Sequence, residues 1–205
     1  MQQLEQQERS QFDLDHGVNT ATPLGRMAFN KLVSTEKGSA YQASWTSEIR
    51  TSFQQVHEHL GDDLVNHSFI DVGCGKGKVN LVWQQELDRR DLSMPNLGID
   101  YYEPLLTIAR NNWKQLYPKK KSQFYLGDAA SYDFRRHGEK LVLYMFNPFS
   151  ALVLLQMIRG LKGWPTVLIY NVPTCDQIVR ASKFTAIHSR RGVDQNQQTV
   201  IYKNY

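Results

Sequence analysis

The apolar positions of this chain change rhythm several times, and each rhythm predicts a kind of element. Residues 1 to about 22 are polar, with Gln2, Gln3, Gln6, Gln7 and Gln11 and too few apolar side chains for a core face, so a mobile or surface-lying extension is expected. From Leu24 to Leu60 the spacing turns helical. Met27, Phe29, Leu32 and Val33 form one group, and Trp45, Ile49, Phe53, Val56 and Leu60 recur three and four residues apart in another, with Lys37 to Gln42 as a loop between them. Beyond Ser68, short apolar runs alternate with helical stretches. The runs Ser68–Gly73, Asn96–Asp100, Ser122–Leu126, Lys140–Phe146 and Thr166–Val172 read as strands, and the unbroken Leu141 to Met145 suits a central parallel strand buried on both faces. Between them, Val79, Val82, Trp83 and Leu87 form one helical face, and Leu105, Ile108, Ala109, Trp113 and Leu116 form another. Glu103 and Pro104 suit the first turn of that second helix. Ser150 is placed to cap a helix from Leu152 to Leu161, while Pro173 to Ser182 is short for a crossover helix. Phe184–Arg190 and Gln198–Lys203 alternate around the turn-rich Arg191 to Asn196, which predicts an antiparallel hairpin.

Five β-α units and a terminal hairpin predict an α/β fold with a doubly wound, mostly parallel seven-stranded sheet. The segments are a polar extension over 1–22, a helical lead-in over 23–66 and the sheet domain over 67–205. At 205 residues and 41% hydrophobic, one domain burying roughly 70% of its unfolded surface is enough. A net charge of +4 is mild, and Lys119 to Lys121 is a short basic run that a solvated loop explains as well as nucleic acid does. Cys74 and Cys175 make neither a metal spacing nor a disulfide framework, and no histidine pair makes a metal motif, so a reducing, cytoplasmic compartment is expected. No apolar run is long enough to span a membrane.

The stretch Phe69-Ile-Asp-Val-Gly-Cys-Gly-Lys-Gly-Lys-Val79 organises the rest. A buried strand that stops in a Gly-x-Gly-x-Gly turn and restarts as a helix is the first half of a nucleotide-binding unit. Gly73 suits a turn closed to other residues, Gly75 lets a ligand approach bare backbone, and Gly77 lets helix pack close to strand. A dinucleotide fingerprint needs Gly-x-Gly-x-x-Gly, but here the sixth position is Lys78. With Asp71 two residues before the first glycine and Asp100 ending Leu97-Gly98-Ile99-Asp100, the chain resembles class I S-adenosylmethionine (SAM) dependent methyltransferases, at the level of layout over 68–205.

The resemblance implies SAM as cofactor and roles for particular residues. Asp71 reads either as a buried acid holding the turn or as the acid that helps hold the methionine amino group. A carboxylate at a strand tip, Asp100, can accept from both ribose hydroxyls, or else cap the helix that starts at Glu103. Tyr101 would wall the adenine, or be a plain surface tyrosine. Asp128 would accept from the adenine amine, with the Ala129 N–H donating to the ring, unless Gly127-Asp128 is only a turn. Asn147-Pro148-Phe149-Ser150 falls where amine methyltransferases carry Asn-Pro-Pro-aromatic, so Asn147 and Pro148 are the candidate catalytic pair; here the second proline is missing, and Asn147 could merely turn the chain.

The implied function is methyl transfer to an acceptor that the sequence does not name, an amine nitrogen being one candidate. A protein or small molecule is favoured over nucleic acid, because no recognition domain accompanies the core. Segment 24–60, with Tyr41, Gln42 and Trp45, would shape the acceptor pocket. The alternatives are a SAM-binding or partner-binding module without catalysis, suggested by the short segment after Val172 and the altered Asn-Pro-Phe, and a nucleic-acid methyltransferase.

Overall fold

The structure, a computed structural model, describes residues 10–22, 42–146, 149–192 and 197–205. The expected helical group at Met27 to Val33, Tyr41, the pair Asn147 and Pro148, and the hairpin turn at 193–196 lie outside these residues. Helix α1 (Thr46–Leu60) leads through a 3-10 turn, Gly61–Asn66, into β1 (Ser68–Val72). Then come α2 (Lys78–Asp88), β2 (Asn96–Asp100), α3 (Glu103–Leu116) and β3 (Phe124–Leu126). The second half runs β4 (Leu141–Phe146), α4 (Ala151–Gly160), β5 (Thr166–Asn171), α5 (Asp176–Arg180), β6 (Thr185–Arg191) and β7 (Gln198–Lys203).

These strands form one seven-stranded sheet in the order β3-β2-β1-β4-β5-β7-β6. The first five are parallel, and β7 enters antiparallel between β5 and β6. The order reverses beside β1: β2 lies on one side of it and β4 on the other, which opens a crevice at the carboxyl ends of the strands.

Apolar alternation explains the two layers. On one face Phe69, Val142, Tyr144, Val167 and Ile169 pack against Ile49 and Phe53 of α1, Trp83 of α2 and Trp113 of α3. Trp83 is the centre of this layer, stacked on Phe69 at 3.9 Å between ring centroids and edge-on to Phe53 at 4.7 Å. On the other face Ile70, Leu143, Met145 and Leu168 meet Leu154 and Met157 of α4 and Val179 of α5. A strand covered on both sides must be apolar throughout, and Leu141 to Met145 are fully buried.

Three expectations change. Residues 10–22 do not lie loosely on the surface: 10–16 are helical, and Phe12 is buried in the main core. Asp13 then accepts from the N–H groups of Thr20 and Ala21 at 2.7 Å each and from the Thr20 hydroxyl at 2.5 Å, which folds the turn that follows back on the helix. One aromatic anchor and one acid hold the segment, a feature that counting apolar positions misses. Ser150 stands at the start of α4 with extended backbone, but its side chain makes no capping bond. The third strand is two residues shorter than expected, beginning at Phe124. The segment after Val172 does contain a short helix, the five-residue α5.

Candidate functional site

The glycine turn is built by backbone conformation. Gly73, Gly75 and Gly77 all have positive φ, at 81°, 53° and 80°. At Gly77 there is a second constraint, because a Cβ would sit 3.1 Å from the Phe124 ring and 3.2 Å from Ala109, so any side chain would push α2 off α3 and β3. The N–H groups of Gly73 and Cys74 donate to the carbonyl of Ile99, which ties the turn to the end of β2.

Asp100 sits where that turn meets the strand ends. Its carboxylate is 7% exposed and accepts from the Gly75 N–H and from the Tyr102 N–H, at 2.9 Å each. Two bonds leave a carboxylate with acceptor positions to spare. Burial pushes its pKa up to about 6, against the opposing pull of the N–H groups of Tyr102, Gly75 and Tyr101. Asp71, 3% exposed, is held well above the usual carboxylate range by burial first and then by the nearby Asp100, and its Oδ2 meets no hydrogen-bond partner.

A cleft of about 160 Å³ opens over these strand ends, and Gly73, Asp100, Tyr101, Asp128 and Ala129 all line it. Five expected residues from three separate loops therefore share one concavity. Asp128 Oδ1 accepts from the Ala130 N–H at 3.0 Å, so one oxygen serves the turn. Asp71, Gly75 and Gly77 do not line the cleft; they lie behind it, and Gly75 spends its N–H on Asp100. Val72, Ile99, Gly127, Phe149 and Val153 line the rest of the wall, and none of these was expected to touch the ligand. The signal was available for Phe149, since it follows the end of β4 as Asp128 follows the end of β3.

Behind the turn, Lys76 is buried and donates to Asn19 Oδ1 at 2.9 Å and to the Thr22 carbonyl at 2.7 Å. Asn112 of α3 donates to the carbonyls of both Asn19 and Lys76, at 3.0 Å each. The N-terminal strap is thus fastened to the glycine turn.

Several solved structures share this architecture. The chain matches magnesium protoporphyrin IX methyltransferase from Synechocystis PCC 6803 with bound S-adenosylhomocysteine (SAH), at TM-score 0.56 and 12% identity, over 98% of this chain and 97% of that one. It matches a provisionally assigned class I SAM-dependent methyltransferase from Listeria monocytogenes at TM-score 0.63 and 12% identity, over 87% and 65%. A predicted N6-adenine-specific DNA methylase from the same organism matches at TM-score 0.54 and 15% identity, over 77% of this chain and 50% of that one. The chain thus spans about half to two thirds of the two Listeria proteins and nearly the whole of the Synechocystis enzyme. No protein-family model matches the chain, and no curated protein does. The chain has the class I methyltransferase fold, with the mostly parallel sheet and reversed terminal hairpin read from its sequence.

Proposed function

We propose that this protein is a SAM-dependent methyltransferase. The observation that carries the reading is Asp100. A carboxylate this deeply buried, carried at the tip of β2, oriented by two N–H groups and facing a cleft at the point where strand order reverses, is costly to the empty fold and useful to a ligand with paired hydroxyls.

The residues present fit SAM. Asp100 has acceptor positions left for the ribose, Asp128 and the Ala129 N–H line the same cleft for the adenine edge, and Tyr101 and Phe149 offer ring faces. Asp71 supplies a carboxylate oxygen without a partner for the cationic end. When bound, SAM supplies a methyl group already activated by its sulfonium. The chain's own contribution is alignment: a rigid turn and strand-end acids fix one reactant, which in favourable cases is worth up to roughly 7–11 kcal/mol of the barrier.

Asn147 and Pro148 are proposed to face the acceptor, with the Asn147 amide accepting from an amine. If so, Asn147→Ala keeps SAM affinity while turnover falls about a hundredfold, about 2.7 kcal/mol in the transition state alone. Intact turnover per folded molecule with lower stability would make Asn147 a turn residue instead. A protein or small-molecule acceptor is proposed ahead of nucleic acid, and a cytoplasmic location is proposed, in keeping with two free cysteines. No described helix is long and apolar enough to cross a membrane.

The test is incubation of purified protein with methyl-labelled SAM and fractionated cell extract. Label transferred to one fraction, with SAH formed in equal amount, is the expected result. Binding of SAM without SAH from any fraction would favour a non-catalytic binding module, the reading that the five-residue α5 admits.

A further inference from the structure

Resting on the cleft's proposed use, we propose that Tyr144 is a ligand-binding residue, its hydroxyl seating the ammonium of the ligand's amino-acid end together with Asp71.

Asp71 of β1 and Tyr144 of β4 are register partners on adjacent parallel strands, so their side chains emerge side by side on one face of the sheet. Asp71 pairs with Gly98 of β2, two residues before Asp100, which puts Asp100 on that same face. At about 4.8 Å per strand and about 3.3 Å per residue, Asp100, Asp71 and Tyr144 form a slanted row roughly 12 Å long across the carboxyl ends of β2, β1 and β4. The row starts at the cleft and runs beneath the lead-in to α1.

Both inner members of the row are incomplete. Asp71 Oδ2 and the Tyr144 hydroxyl are both buried; Asp71 Oδ2 has no hydrogen-bond partner, and the Tyr144 hydroxyl makes no bond of normal geometry, only a weaker contact with the Ser44 side chain, with Asp71 and Glu48 nearby. Burying a hydroxyl without a partner costs about 1–3 kcal/mol, and phenylalanine would fill the same space without that cost. Two such atoms on neighbouring residues, at the switch point of an α/β sheet, are placed to accept from a ligand. The chemistry selects a cation. The Tyr144 hydroxyl is flanked by two carboxyl groups, those of Asp71 and Glu48, and Arg190 donates to Glu48 Oε1 from the far side at 2.7 Å. A ligand carboxylate placed there would meet acids, whereas an ammonium donates to Asp71 Oδ2 and to the tyrosine oxygen. Ser44 precedes α1 and Glu48 lies in its first turn, so the start of this helix covers the amino-acid end.

Calorimetric titration with two probes tests this. SAH carries the amino-acid end; methylthioadenosine has the adenosine and the sulfur but not that end. Tyr144→Phe is expected to weaken SAH about tenfold, as for one hydrogen bond to a charged group, while methylthioadenosine changes less than about twofold. The melting temperature should hold, because the hydroxyl makes no bond of normal geometry and only a weak contact with Ser44. Equal loss on both probes, unchanged affinity for both, or a large fall in melting temperature would each overturn the assignment. Wild-type protein that binds neither probe would overturn the cleft's proposed use, and this inference with it. Wild type that binds both, with Tyr144→Phe indistinguishable from it, would overturn the inference alone.

Discussion

Asp100 shows how a residue can be legible in part. Its place at the tip of a second strand after a glycine turn pointed to a ligand, and the structure puts it at the rim of the cleft. What the sequence did not show is that one of its oxygens also holds Gly75, since that bond joins residues 25 positions apart, whereas the bond from the Tyr102 N–H is local. The raised pKa gives a testable sign. With the folded value at about 6 and the unfolded value near 3.8, the folded state holds the extra proton between these limits. This group's contribution to stability is therefore greatest below pH 4, falls as pH rises to about 6 and is flat above, a difference of about 3 kcal/mol. Asn carries no such charge and still offers an oxygen to one N–H. Asp100→Asn should thus melt higher than wild type at pH 7 and near wild type at pH 4; thermal melts of both proteins across that range check it, and a difference independent of pH would contradict it. Histidines His59, His67 and His137, whose pKa values burial lowers, act in both proteins alike and cancel in this comparison.

Among elements, the strands were the more legible because their apolar runs report burial directly, and β2 and β7 have the expected bounds. The N-terminal strap was not, because its hold rests on specific pairs: Phe12 in the core, Asp13 on Thr20 and Ala21, and Lys76 on Asn19 and Thr22. Phe12→Ala should cost about 3–5 kcal/mol and expose 10–22 to limited proteolysis. Unchanged denaturant midpoint and unchanged cleavage would show that the strap does not contribute to the fold. At α4 the prediction runs the other way. Ser150→Ala should change stability by less than about 0.5 kcal/mol, since no capping bond exists to lose, whereas a true cap would cost about 0.5–2 kcal/mol.

For the whole molecule, layout was readable from period alone, because five buried parallel strands and an alternating hairpin admit few arrangements. The position of the cleft followed from that layout, at the point where β2 and β4 leave β1 in opposite directions. The row running on from it to Tyr144 did not, since pairing of β1 with β4 bridges 73 positions of chain between Asp71 and Tyr144 and no local pattern records it. The acceptor is likewise absent from the pattern, because one fold hosts many substrates through loops that vary from protein to protein. The most direct test of the account is calorimetric titration of the wild-type protein and of Asp100→Ala with SAM at pH 7.5. One molecule should bind per chain, and loss of the carboxylate should weaken it by at least about tenfold in a protein that still melts cooperatively. No binding to wild type, or equal affinity in the two proteins, would contradict the reading of this cleft.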